Sequence, residues 1–596
     1  MRTRIIICAR DTCMRTPYLY AHAILVCARH NIREIPPSGY VSPSIDFTSH
    51  RRHTQVFHLT NVEIRAKLPG VFMSSETKSD TETWVHAAAH LRDELGAWIA
   101  DSVRRQRVIP YHGIHDEGSF TTSWDAYWFL TRDRAAHGFM TWLRDGFAAW
   151  ANANFVHGYY PEGEVHHGTE PFTHFIARFH TLDPTGTVAP RLLDDAAEHT
   201  GNWVDGVPDW YDWERHRIVS WYIGSCRVPT DPPNDYEEPD SIRPAMMALS
   251  AYVATGRRRY LDFCLDYGNT WADALLEEPL PRVGFFHTDD PAVYPARLFE
   301  ERDLEQRVEL IVASGMIDFL LDLYLLTGTD RYVTAVERLV PTLVETVADP
   351  RNATSAAHLA RYRRITDDRS HDAAIIQALP DLPAYDAAGF SLLERQDEKE
   401  QREIGLIFNK YIGHRFDQVR WGRPEGDSIR EVTEPTPAAW ALAFHITGDE
   451  RYAARAMFIA GERVRVGRNA LDDGREHGCG GYSVGALASG HGRADRFGDV
   501  NSVFGPLMLG SIRLFNAEHP LVEYPDGLPK QIATLVSWEP EPRVRWHNSG
   551  DTSVSFSWRD ASKRKNTERK ETLAPGETKS AALGGSIPDY AIGSME

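Results

Sequence analysis

From residue 84 to about residue 515, apolar positions recur at helical spacing in paired runs. The strings ATGRRRYLDFC from 254, LTGTDRYVTAV from 326 and ITGDERYAARA from 446 share Thr-Gly, two variable residues and Arg-Tyr. Each string ends one apolar run and starts an amphipathic one. The run Leu310 to Leu326 is apolar almost all round apart from Asp318 and Asp322, as a helix buried on most sides must be. The run after it places Tyr332, Val336, Leu339, Val340 and Leu343 on one face, opposite Glu337 and Arg338. The pattern predicts an inner helix, a tight turn and an outer helix. Looser copies of the turn at 130–133 and 182–186 give turns near 131, 184, 255, 327 and 447. Inner helices are predicted at about 122–131, 171–182, 241–254, 307–326, 435–446 and 502–515. Outer helices follow five of them, and a helix from Trp84 to about Arg105 is expected to pair with the last. Residues 348–434 read as a long insertion or a further irregular hairpin.

After Asn516 the period changes. QIATLVSW, RVRWHN, TSVSFSW and ERKETL are short β-type runs separated by Pro, Gly and Asp turns. They predict a small β-sandwich over about 528–590, with LAPGE at 573–577 as a connecting turn and Trp538, Trp546 and Trp558 in its core. Residues 1–52 carry eight Arg against Asp11, Glu34 and Asp46, unlike the rest of the chain. Met73 opens a polar lead-in to the first helix and is the expected start of translation. The expected organisation is therefore a disordered or non-native extension at 1–72, a helical domain at 73–527 and a β-sandwich domain at 528–596.

Composition narrows the function. Of the 596 residues, 65 are Lys or Arg and 84 are Asp or Glu, a formal charge of −19. That balance argues against a nucleic-acid binder or a protein held on anionic lipid. No stretch approaches the roughly 18 apolar residues of a membrane span. Six Cys, at 8, 13, 27, 226, 264 and 479, have neither disulfide-scaffold density nor zinc-site spacing and read as isolated thiols. No secretory signal is evident, so a cytoplasmic location is expected. No cofactor and no metal is implied by this pattern.

The repeated hairpin resembles the six-hairpin (α/α) toroid shared by many glycoside hydrolases, polysaccharide lyases and some sugar epimerases, and the resemblance covers about residues 84–515. It implies a mainly α protein, an (α/α)6 toroid followed by the small β-sandwich, with a carbohydrate substrate. A non-catalytic helical-repeat scaffold is the plainer alternative.

Short turns only link helices, whereas the long outer-to-inner connections gather at one mouth and are natural carriers of a site. The first such loop, YHGIHDEGSFTTSWDAYW, holds His112, His115, Asp116, Glu117 and Trp124; its HDEG resembles the His-Asp-x-Gly segment of unsaturated glucuronyl hydrolases, whose Asp is catalytic. The second, NFVHGYYPEGEVHHGTEPFTHF, is the densest polar cluster, with Tyr160, Glu164, His166, His167, Glu170 and His174. The third interleaves Trp203, Trp210 and Trp213 with Asp205, Asp209, Asp212 and Arg215, a mixture suited to the C–H faces and hydroxyls of sugars. Later loops add Trp421 and Tyr482. Glycoside hydrolysis needs two carboxylates across the scissile bond. The hydrolase reading assigns Asp116 or Glu164 as general acid and Asp212 as base or nucleophile. It gives Trp124, Tyr160, His166, His167, Trp203, Trp210, Trp213, Arg215, Trp421 and Tyr482 to the substrate. Elimination by Tyr and His, with Arg neutralising a uronate, and epimerisation by paired His are the alternatives.

Overall fold

The computed structural model describes residues 80–105, 121, 123–277, 285–286, 293–294, 304–349, 353–382, 391–393, 420–425, 428–431, 434–470, 500–563 and 567–589. Within them the protein is mainly helical, and from Asp80 onward the chain is one unit. Its helices come as pairs. In chain order they are α1 Asp80–Arg105, α2 Trp124–Thr131, α3 Arg134–Asn154, α4 Val165–His174, α5 Phe179–Leu182, α6 Val188–Ala197, α7 Arg243–Thr255 and α8 Arg258–Leu276. They continue as α9 Leu304–Ala313, α10 Met316–Thr327, α11 Asp330–Glu337, α12 Val340–Thr346, α13 Ala353–Thr366, α14 Asp372–Ala378, α15 Pro437–Thr447, α16 Glu450–Ala470 and α17 Phe504–Leu509.

The repeated turn has a local cause. At Thr255, Thr327 and Thr447 the hydroxyl donates to the carbonyl four residues earlier and accepts the backbone N–H two residues later. The Gly that follows, Gly256, Gly328 or Gly448, ends the helix in the left-handed region at φ of 70°, 65° and 70°. No atom would crowd a Cβ at Gly256 or Gly328, so backbone conformation and not space selects glycine there. The Arg-Tyr pair then ties the new hairpin to the one before. Tyr260 Oη donates to Asp194 of α6 at 2.6 Å, and Tyr332 Oη donates to Asn269 of α8 at 3.0 Å. Arg259 pairs with Glu198 and Arg331 with Asp273.

The pairs pack in chain order. α3 meets α6, α6 and α4 meet α7, α8 meets α11, α10 meets α13 and α13 meets α15. The long helix α1 packs along α16 and also touches α2, α3 and α17.

Two expectations need correction, and one alternative is decided. The inner helix expected at 307–326 is two helices bent by 60°, because Gly315 takes φ 90° between them. The helix expected to reach 515 stops at Leu509, where Gly510 at φ 57° turns the chain into a hairpin of β1 Ile512–Leu514 and β2 Ala517–His519. Of the two readings of residues 348–434, a long insertion or a further irregular hairpin, residues 353–378 follow the second and form a helical hairpin, α13 and α14. Its turn hid from the Thr-Gly pattern because Asp367 (φ 55°) stands where glycine would, while Thr366 makes the usual two hydrogen bonds.

The β1–β2 hairpin is driven into the helical core. Phe515 and Asn516 at its tip both have positive φ, as a tight two-residue turn requires. Asn516 Nδ2 donates to the Met246 carbonyl at 3.1 Å and to Ser250 Oγ at 2.9 Å on α7, and Asp322 of α10 accepts the Phe515 N–H at 2.9 Å. Beyond the hairpin come two three-stranded antiparallel sheets. One joins β3 Val522–Glu523, β6 Val554–Asp560 and β7 Arg569–Leu573; the other joins β4 Ile532–Ser537, β5 Arg543–Asn548 and β8 Thr578–Ala582. The rings of Trp546 and Trp558 meet at 4.9 Å between the two sheets, both without exposure, so these tryptophans are core and not a platform. β4 is buried along nearly its whole length because its other side packs on α17 and α1.

Among the described residues no single helix is long and apolar enough to cross a membrane. Cys264 is a free, buried thiol, but Cys226 is disulfide-bonded, with a partner outside the described residues. The reading of all six cysteines as isolated thiols is thereby corrected.

Candidate functional site

Polar side chains enter the helical core at one-turn intervals. On α4 and the short turn after it, His166, Glu170, His174 and Arg178 follow one another at intervals of four residues, all buried. His166 Nδ1 lies 2.9 Å from Asp240 Oδ2, and His174 Nδ1 lies 3.0 Å from Glu170 Oε1. Arg243 and His166 outweigh the burial of Asp240 and hold its carboxyl well below the usual carboxylate range. Arg178 makes a buried ion pair with Asp125 at the start of α2. The two acids that interrupt the apolar pattern of α10 are clamped by one cation: Arg361 of α13 reaches Asp318 at 2.7 Å and Asp322 at 2.6 Å.

The Asp318–Asp322–Arg361 cluster meets the β1–β2 hairpin, where Asp322 accepts the Phe515 N–H, and beside the hairpin lies a cavity of about 60 Å³. Its walls carry Arg361, Arg364, His445, Asn501, Ser502, Ser511, Arg513, Glu518 and Trp538. Alanines at 357, 360, 438 and 441, on facing sides of α13 and α15, make the room. The charges on this wall differ in how they are held. Arg364 donates to the carbonyls of Gly510, Ser511 and Ser586, and burial lowers its pKa to about 9. Glu518 accepts from Ser511 Oγ, and burial raises its pKa. Burial also pushes Asp322 up to about 7, against the pull of Arg361.

His445 is different again. It is buried, its ring lies flat against Trp538 at 3.6 Å, and among the described residues neither ring nitrogen has a hydrogen-bond partner. Burial, reinforced by Arg364 and Arg363, pushes its pKa well below the ordinary histidine value, so the imidazole is neutral at pH 7. A neutral imidazole, a carboxyl inclined to keep its proton and a guanidinium together make a set able to accept a proton, return one and steady the negative charge formed between. Among the described residues no group of three His, Cys, Asp or Glu is arranged to hold a metal ion.

The residues expected from sequence fall elsewhere. Asp116 and Tyr482 lie outside the described residues, and of Trp421 only its place in the strand Arg420–Glu425 is described. Burial would raise the pKa of Glu164, but a hydrogen bond and the charge of His167 prevail and hold it below the usual value, opposite to what a general acid needs. Asp212 accepts the N–H groups of Glu214 and Arg215 at 2.9 and 3.0 Å, and Arg215 itself is exposed, so this carboxylate is engaged in its own turn. Trp124, Tyr160 and Trp210 present no face to solvent: Trp124 packs on Trp98 and Phe139, Tyr160 on Phe155, and Trp210 on His199. His166 joins the buried network, whereas His167 is exposed beside Glu164. Trp203 is half-buried under Arg259, and Trp213 keeps 41% of its surface exposed.

Sequence reading passed over His445, Arg361, Arg364, Arg513 and Glu518. For His445 the signal is an imidazole inside an otherwise apolar helix, PAAWALAFHIT, of the kind that Asp318 and Asp322 also give; Arg513 and Glu518 sit on strands and carry no such signal.

No family model matches the chain, and no curated protein matches it. A solved structure that does show similarity is the crystal structure of a sugar epimerase from a ruminal bacterium, 12% identical, with a TM-score of 0.30 over 50% of this chain and 75% of that one. A likeness so slight carries no argument.

Proposed function

We propose that this protein is a carbohydrate-acting enzyme whose helical pairs close into an (α/α) toroid, and that its chemistry is proton transfer in the cavity beside the β1–β2 hairpin. The observation that carries the reading is His445, a neutral imidazole whose two nitrogens have no partner among the described residues, on the wall of a polar cavity. Such a group takes a proton from a carbon next to a carbonyl or carboxylate. The nearby arginines would stabilise the resulting enolate, and Glu518 can supply the proton that completes epimerisation. Elimination begins with the same step. Paired-carboxylate hydrolysis is less well served, because Glu164 is held ionised and Asp212 is engaged in its turn.

The test is incubation with a panel of reducing sugars and uronate oligosaccharides in deuterium oxide, with products read by mass spectrometry. Deuterium at the carbon beside the carbonyl is expected, and His445→Gln should slow its uptake by at least about 100-fold. Release of reducing ends with no deuterium gain would overturn the proposal in favour of hydrolysis.

A further inference from the structure

Five arginines lie near the cavity, and four are spoken for. Arg178 is paired with Asp125, Arg361 with Asp318 and Asp322, Arg363 with Asp372 and Glu539, and Arg364 with three backbone carbonyls. Arg513, in the middle of β1, makes no side-chain hydrogen bond among the described residues and keeps part of its surface open on the cavity wall. Its cross-strand partner in register is Glu518, whose Oε1 takes the Ser511 hydroxyl instead. A guanidinium so enclosed presents five N–H donors in a planar fork, the geometry that pairs with carboxylate or phosphate oxygens.

We propose that Arg513 is the specificity-determining anchor for an oxyanion on the substrate, a carboxylate or a phosphate, which enters the cavity while the ring stays at its mouth, so that the protein accepts acidic sugars in preference to neutral ones. This deepens the reading that the cavity receives a sugar, and rests on it for the sugar alone. Burial disfavours charge of both signs here: it raises the pKa of Asp322 and of Glu518, and it lowers that of Arg364 and of Arg513. An anion brought against Arg513 favours its charged form.

The experiment is isothermal titration of the full chain with glucuronate, glucose 6-phosphate, glucose and inorganic phosphate as separate probes. At least one acidic sugar should bind ten-fold or more tightly than glucose, and Arg513→Gln should erase that preference. Arg513→Lys keeps the charge without the fork and should retain a reduced preference. The stronger of the two acids identifies carboxylate or phosphate as the anchored group. Equal affinity for glucose and both acids, or a preference unchanged in Arg513→Gln, overturns the proposal. If that variant does not fold, the wild-type affinity ratio decides by itself. Inorganic phosphate separates this idea from the enzymatic one: phosphate binding that depends on Arg513 supports the anchor even without deuterium exchange. Exchange that persists with no preference for acids overturns the anchor and leaves the enzyme reading standing.

Discussion

Two residues show how the same backbone site can be filled differently. Asp367 and Arg132 both hold the left-handed position that glycine holds in the other hairpin turns, each at φ 55°. Asp367 is exposed, with its carboxylate on Arg369, so Asp367→Gly should relieve backbone strain and raise stability by up to about 1 kcal/mol in urea unfolding. Arg132→Gly should go the other way, because Arg132 Nε donates to the Tyr524 carbonyl at 2.9 Å and its guanidinium lies 4.2 Å over Trp128. Glu237 offers a prediction in pH. It is fully buried, and although Arg217, the Ile218 N–H and Tyr267 favour its ionised form, burial prevails and raises its pKa from 4.5 to about 7. The folded state thus holds a proton that the unfolded chain releases, so stability present below pH 4.5 is lost as pH rises through 7. Glu237→Gln should remove about 2.5 kcal/mol of the stability difference between pH 5 and pH 8, measured by urea unfolding at the two values.

At the scale of elements, the Thr-Gly turn and the inserted hairpin matter most. Thr327→Val deletes one donated and one accepted hydrogen bond and should cost about 1 kcal/mol, as should the equivalent change at Thr255. The hairpin tip is held by side chains of α7 and α10, not by its own two strands alone. Asn516→Ala removes both hydrogen bonds to α7 and should cost about 2 kcal/mol by urea unfolding, and it should also weaken sugar binding, because Arg513 and Glu518 ride on the same hairpin. Unchanged stability would mean that the tip only rests against α7. Of the two, only the turn is visible in sequence. The turn was legible because its hydrogen bonds are local and recur with the same residues. The hairpin was misread as the end of a helix because RLFNAE has an apolar pattern that suits either state, and the partners that decide between them lie about 190 to 270 residues away.

Over the whole molecule, the β sheets and the helices are joined by buried polar seams as well as apolar packing. Arg92 of α1 donates to the carbonyls of Leu528 and Pro529, Arg363 of α13 bonds Glu539, and Arg364 bonds Ser586. Chain ties of this kind predict that tryptophan fluorescence and far-ultraviolet dichroism of the chain will report one coincident unfolding transition. Two separated transitions would show the sheets to be independent. The sequence by itself determined the local facts: paired helices, the Thr-Gly turn, the change to β period after residue 516 and the aromatic core of the sheets. Each depends on the spacing of apolar residues or on hydrogen bonds within a few positions. Only the tertiary structure decided which polar residues meet. His445, Arg361, Arg513 and Glu518 come from four separate elements, and the burial that keeps one imidazole neutral and raises one carboxyl is a property of what surrounds them in space, which no spacing along the chain encodes.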